Sequence, residues 1–206
     1  MSFLLTDEFE DSFEWEGKVY HVDLAFDNVL RLFEMFDDDA FFEEEKPFLA
    51  ITMLVVEEIS YFQSWEEGFE LFKFLMEEFL DINLEEQGEK KKKIYDFKKD
   101  ADLIYASFFA CYKIDLFEMH GKLHWKKFHA LLAHLDDKSK LKQVIGYREM
   151  KVPNSKESSR EYIEHVQKMK RLYSLDDRPA AEQIDSAFDA LAHTFRANAK
   201  VVKKDG

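Results

Sequence analysis

A chain of 206 residues is long enough to bury a sizeable core. With only 6 Gly and 3 Pro beside 21 Phe it disfavours a turn-rich β-sandwich and favours long helices with short connections. A net charge of -14, with no concentrated Arg patch, argues against nucleic acid as a partner. The longest apolar run, around Phe48 to Val56, falls far short of the roughly 20 residues a membrane span needs.

In chain order, the opening MSFLLTDEFEDSFEW has no basic segment of the kind that begins a signal peptide. Ser12 to Asp23 predicts a small hairpin: Phe13 and Trp15 alternate on one side, Glu16-Gly17-Lys18 turns, and Val19 to Val22 returns. Two strands alone are marginal in water, so this hairpin must pack on a helix or extend another sheet. Asp27 is a candidate cap for a helix in which Val29, Leu32, Phe33 and Phe36 share a face. The acidic loop Asp37 to Glu45 follows, and Pro47 suits the first turn of a second helix running to about Ile59. That helix is apolar almost all round, which places it at the centre of the fold.

Ser64 and Glu67 form a capping-box pattern. It opens a helix whose stripe is Trp65, Phe69, Phe72, Met76 and Phe79, widened by Leu71, Phe74, Leu75 and Leu80. A face this broad and aromatic either packs against two neighbours or leaves one side for a partner. Trp65, Phe69, Phe72 and Phe79 are the candidate protein-interaction residues. Residues 1–80 thus read as an acidic, Phe-rich part, and 81–93, with Gly88 and the run Lys90 to Lys93, as a charged linker.

Residues 94–175 read as a second helical part. Its first helix runs along Phe97, Ala101, Ile104, Tyr105, Phe108 and Tyr112, with Asp96 as cap. Leu123 to Leu135 is the next, and Lys138 to Gly146 a short one ending on glycine. Arg160 to Ser174 lines up Ile163, Val166, Met169 and Tyr173. Residues 176–206 read as a last helix along Ala180, Ile184, Phe188, Leu191 and Phe195, then a basic tail. The fold class expected is mainly α, a multi-helix bundle with a small N-terminal β-hairpin.

Catalytic and metal-binding patterns are weak. His120 and His124 are four apart, with His129 and His134 nearby, but Gly121, Lys122 and Leu123 lie between the first pair, so the Glu base of a zinc protease is missing. No Gly-x-Ser-x-Gly elbow or glycine-rich phosphate loop is present. Cys111 sits mid-helix among aromatics, where a thiol is a packing group rather than a nucleophile. As the sole cysteine it allows no internal disulfide, which fits a reducing cytosol. The expectation is a non-enzyme with no cofactor and no metal.

Charge is divided along the chain. Residues 1–88 hold 25 Asp and Glu against 4 Lys and Arg, whereas residues 89–206 hold 18 against 25. An acidic front and a basic back can attract one another within one fold or between copies, which predicts self-association weakened by salt.

Five short motifs between Ile94 and Leu175 carry more: IYDFKKDADLIYASF, YKIDL, LHWKKFHALLAHL, IGYREM and KMKRLYSL. In order, spacing and character they resemble the bacteriophage Gp-fifteen family of siphophages that infect Gram-positive hosts. The resemblance implies a tail-assembly factor encoded near the major tail and tape-measure proteins. It would be a chaperone that binds and solubilises the tape-measure protein in the host cytoplasm during tail morphogenesis and is absent from the mature virion. A second tail-assembly chaperone is a further implied partner. The alternative is a structural virion protein of the tail or connector.

Overall fold

The computed structural model describes residues 4–6, 8–59, 62, 64–84, 93–154 and 158–175. They form strands β1 (Ser12–Trp15) and β2 (Lys18–His21), then helices α1 (Phe26–Phe36), α2 (Lys46–Leu54) and α3 (Trp65–Leu80). Helices α4 (Ala101–Tyr112), α5 (Trp125–Ala133), α6 (Lys140–Glu149) and α7 (Arg160–Leu172) follow. The protein is mainly α with a small N-terminal hairpin, as its composition and periodicity predict. Two compact units result: one takes Met1–Lys92 with Asp100–Leu141, the other Lys93–Lys99 with Lys142–Gly206. Residues 94–175, expected as one part, are therefore shared between both. Most of the expected linker and all of 176–206, with its expected helix, lie outside the described residues.

In the first unit β1 and β2 pair antiparallel, with Trp15 opposite Lys18. Glu16 (φ 48°) and Gly17 (φ 74°) both take the left-handed region, as a two-residue hairpin turn of this twist requires. Phe13 faces inward against Tyr20 and meets Phe74 and Phe79 of α3 at 5.7 and 6.1 Å, so the hairpin packs on that helix. It also gains a third short segment, because α2 stops at Leu54 instead of reaching Ile59. Val55 turns extended and pairs with Val22, and the Val56 N–H donates to the His21 carbonyl at 2.9 Å. Adjacent β-branched residues favour that conformation over another helical turn. Glu57 completes the join by accepting from the His21 backbone N–H and ring Nδ1.

Helix α1 begins after Ala25, so Asp27 is not its cap. It lies in the first turn, where it accepts from the Gly121 N–H at 2.8 Å and from Arg31 at 2.7 Å. Burial works against its ionisation, but these partners outweigh it and hold the carboxyl below its ordinary range. Asn28, also buried, donates to the carbonyls of Asp23 and Met53 and so fastens α1 to α2. Four phenylalanines and Trp125 form one stack in this unit. Phe128 lies between Phe26 (4.8 Å) and Phe108 (5.1 Å), and Trp125 packs on Phe128 and on the edge of Phe33. Trp125 is thus a core residue of α5.

Asp96 does not cap α4. It accepts from the N–H groups of Lys98 and Lys99 and closes a preceding turn, while Asp100 takes the cap position. In the second unit Ser159 caps α7 by accepting from Tyr162, and Val166 is buried. Helix α6 runs through Gly146 to Glu149. Its end is satisfied by the Lys170 ammonium, which donates to the carbonyls of Tyr147, Arg148 and Met150 at 3.3, 2.8 and 2.6 Å. A cation at a helix C-terminus also complements the dipole. Arg148 reaches the carbonyls of Tyr173 and Ile94, so three of the motifs are knit by these two cations.

Candidate protein-interaction surface

Ser64 opens α3 as the capping box predicts, its Oγ accepting from the Glu67 N–H at 3.2 Å. The four aromatic candidates then part company. Trp65 is 48% exposed and stacks on half-buried Phe69 at 4.8 Å and 13°. Phe72 and Phe79 are 5% and 4% exposed, Phe72 against Phe36 and Phe79 against Phe13 of the hairpin. A stripe stepping four, three, four, three drifts about 20° per seven residues on a straight helix. That drift is small, and what covers Phe72 and Phe79 is Phe36 of α1 and Phe13 of the hairpin, while Trp65 in the first turn stays at the surface. The interaction candidates reduce to Trp65 and Phe69.

Neighbouring rings enlarge this exposed pair. Phe48 of α2 lies directly on Gly68, where a Cβ would collide with its ring, and meets Phe62 edge-on at 5.8 Å. Phe36 closes the far end through Phe72. Beyond Phe36 runs the acidic loop, with Phe42 72% exposed. Lys46 pins that loop's two ends: its buried ammonium donates to the Phe36 carbonyl at 2.9 Å and to Glu43 at 2.5 Å. Glu66 sits at the opposite end beside Trp65. Its own backbone N–H and the Ser64 hydroxyl hold its carboxyl below the usual range.

A second aromatic patch escaped the sequence reading. Tyr105 stacks on Phe109 (6.3 Å) and touches Phe117 (5.3 Å), which leans on His120. Phe109 and Phe117 are both exposed. The available signal was the Phe108-Phe109 pair, since consecutive helix residues point apart and only Phe108 can be core.

Two of the histidines expected near one another have structural roles, His124 and His134. His124 caps α5: its Nδ1 accepts from the Lys126 N–H at 3.0 Å, so its Nε2–H donates to Asp11 at 3.1 Å. Phe9 stacks on its ring at 4.3 Å. Burial depresses the His124 pKa against the opposing pull of Asp11 and keeps the cap neutral; burial likewise lowers His129. His134 Nδ1 bonds the Ala130 carbonyl. Among the described residues no group of three or more His, Cys, Asp or Glu could hold a metal ion, and no helix is long and apolar enough to cross a membrane.

What fold and surface define is a mainly helical protein that displays aromatic side chains on an acidic exterior. The family model described as Bacteriophage Gp15 protein matches residues 5–175, and the chain belongs to that family. This makes it a bacteriophage protein. No curated protein and no solved structure matched the chain.

Proposed function

We propose that this protein is a tail-assembly chaperone that binds the tape-measure protein and keeps it soluble until the tail tube polymerises around it. It acts without catalysis, in the host cytoplasm, and stays out of the finished virion. The observation that carries the reading is a member of this phage family presenting a stacked Trp65–Phe69 pair to solvent on an acidic helix. Tape-measure chains are long and largely helical, and exposed apolar helix faces dock in aromatic-lined grooves. The acidic exterior would keep such a complex soluble. A second tail-assembly chaperone is a further partner, for which the Tyr105–Phe109–Phe117 patch is the available surface.

Pull-down of the phage's tape-measure protein with this chain tests the proposal. Retention that is weakened by polar replacement of Trp65 and Phe69 is the expected result, and no association would end it. Mass spectrometry of purified virions separates the chaperone from a tail or connector component: near absence is expected, whereas stoichiometric presence would favour the structural alternative.

A further inference from the structure

The rim of the Trp65–Phe69 surface carries information about what sits on it. From Glu34 to Glu70 the chain holds twelve Asp and Glu against one Lys. That one, Lys46, is 4% exposed and held by Glu43 and the Phe36 carbonyl. In the aromatic floor of the surface the exposed Trp65 and half-buried Phe69 rings stack, and buried Phe72 links them from beneath to Phe36. Asp37, Asp38 and Asp39 follow directly on Phe36 at one end, and Glu66 flanks Trp65 at the other. Just beyond this stretch Lys73 lies 5.9 Å from the Phe69 ring centroid and is engaged by Glu70 at 3.0 Å. The floor is thus apolar and its surroundings almost wholly anionic.

We propose that this surface takes a cationic amphipathic helix of the partner protein, its apolar stripe on Trp65, Phe69 and Phe48 and its Lys and Arg toward Asp37–Asp39 and Glu66. The inference rests on the tape-measure reading and specifies which segments of that protein are bound. A helical occupant follows from the spacing of the exposed pair: Trp65 and Phe69 lie one turn apart on α3, the spacing at which a partner helix sets its own apolar residues. Positive charge follows from complementarity: an anionic rim repels acidic segments at close range and speeds encounter with basic ones.

The test uses the full chain and three labelled synthetic peptides of about 18 residues, a length of about five helical turns. One carries a Leu/Phe stripe with a Lys/Arg polar face, one the same stripe with a Glu polar face, and one the Lys/Arg composition scrambled so that no stripe forms. Fluorescence anisotropy should show the first binding at least about tenfold tighter than either control, a difference of about 1.4 kcal/mol. W65S/F69S should remove that advantage while the chain still melts in one cooperative transition, and D37N/D38N/D39N should weaken binding and flatten its salt dependence. Equal binding of the scrambled peptide would mean bulk charge attraction only and overturn the proposal. So would a self-associated state abolished by W65S/F69S, since the occupant would then be a second copy. Tape-measure retention by W65S/F69S at the wild-type level would refute this inference while leaving the chaperone reading intact. Loss of all tape-measure association by the wild-type chain would instead remove the reading itself.

Discussion

Replacing Gly68 by Ala sets two opposed effects against each other inside the candidate surface. Glycine within a helix costs about 0.5–1 kcal/mol relative to alanine, so propensity alone makes the change stabilising. But the Phe48 ring occupies the place of the new methyl, with its Cε1 and Cζ nearest. The ring must swing away, losing part of the roughly 1.5–3 kcal/mol of a buried Phe and the Phe62 edge contact, itself about 0.5–1.5 kcal/mol. The balance is a destabilisation of about 1–2 kcal/mol, or about 2–8 °C in Tm for a chain of this size. Urea unfolding followed by circular dichroism reads it directly. In a Phe48→Ala background the obstruction is gone, and G68A should then stabilise by about 0.5–1 kcal/mol. A gain of that size in the wild-type background would show that Phe48 does not rest on Gly68, and the described floor would be wrong.

The remaining candidates separate by burial. Phe72→Ala should cost about 3–5 kcal/mol in denaturant unfolding, whereas Trp65→Ser should stay within about 1 kcal/mol of wild type; similar costs would erase the division of the stripe. Because the folded His124 pKa lies below its unfolded value, the unfolded chain binds more protons at mildly acidic pH. The cap's contribution is therefore full above about pH 6.5 and lost as pH falls through the folded pKa. His124→Asn, which can still cap α5, should show a shallower stability loss over that window, and identical profiles would remove the cap from the account. Lys170→Met leaves the end of α6 without its charged donor and should cost about 2–3 kcal/mol, read as faster hydrogen exchange in the last turn of α6. Self-association, if driven by the charge division along the chain, should weaken in light scattering as salt shortens the screening length below about 8 Å; a salt-independent monomer would refute it.

Where a local rule acted alone, it was readable in the sequence. The Glu16-Gly17 turn, the Ser64 cap and the apolar line of α7 follow from spacing and residue type, and the structure keeps all three. The misplaced boundaries share a cause: a distant partner supplied what the local rule assumed to be missing. Val55 leaves α2 to pair with Val22, Asp27 abandons the cap for Gly121, and Lys170 lets α6 continue past Gly146. The candidate surface was half legible for a similar reason. Periodicity put Trp65, Phe69, Phe72 and Phe79 on one stripe, but only the hairpin and α1 decide that Phe72 and Phe79 are covered. The motif residues Tyr105, Arg148 and Lys170 carried family identity without disclosing their roles, since one is displayed in an exposed patch and two bind carbonyls far along the chain.

A photo-crosslinking amino acid placed at position 65 or 69, in chain co-expressed with the tape-measure protein, tests the central claim most directly. The account predicts covalent adducts to tape-measure segments that are helical and rich in Lys and Arg, and far weaker ones from position 117 in the other aromatic patch. Adducts that form at 117 but not at 65 or 69, or no tape-measure adduct from any of the three, would contradict it.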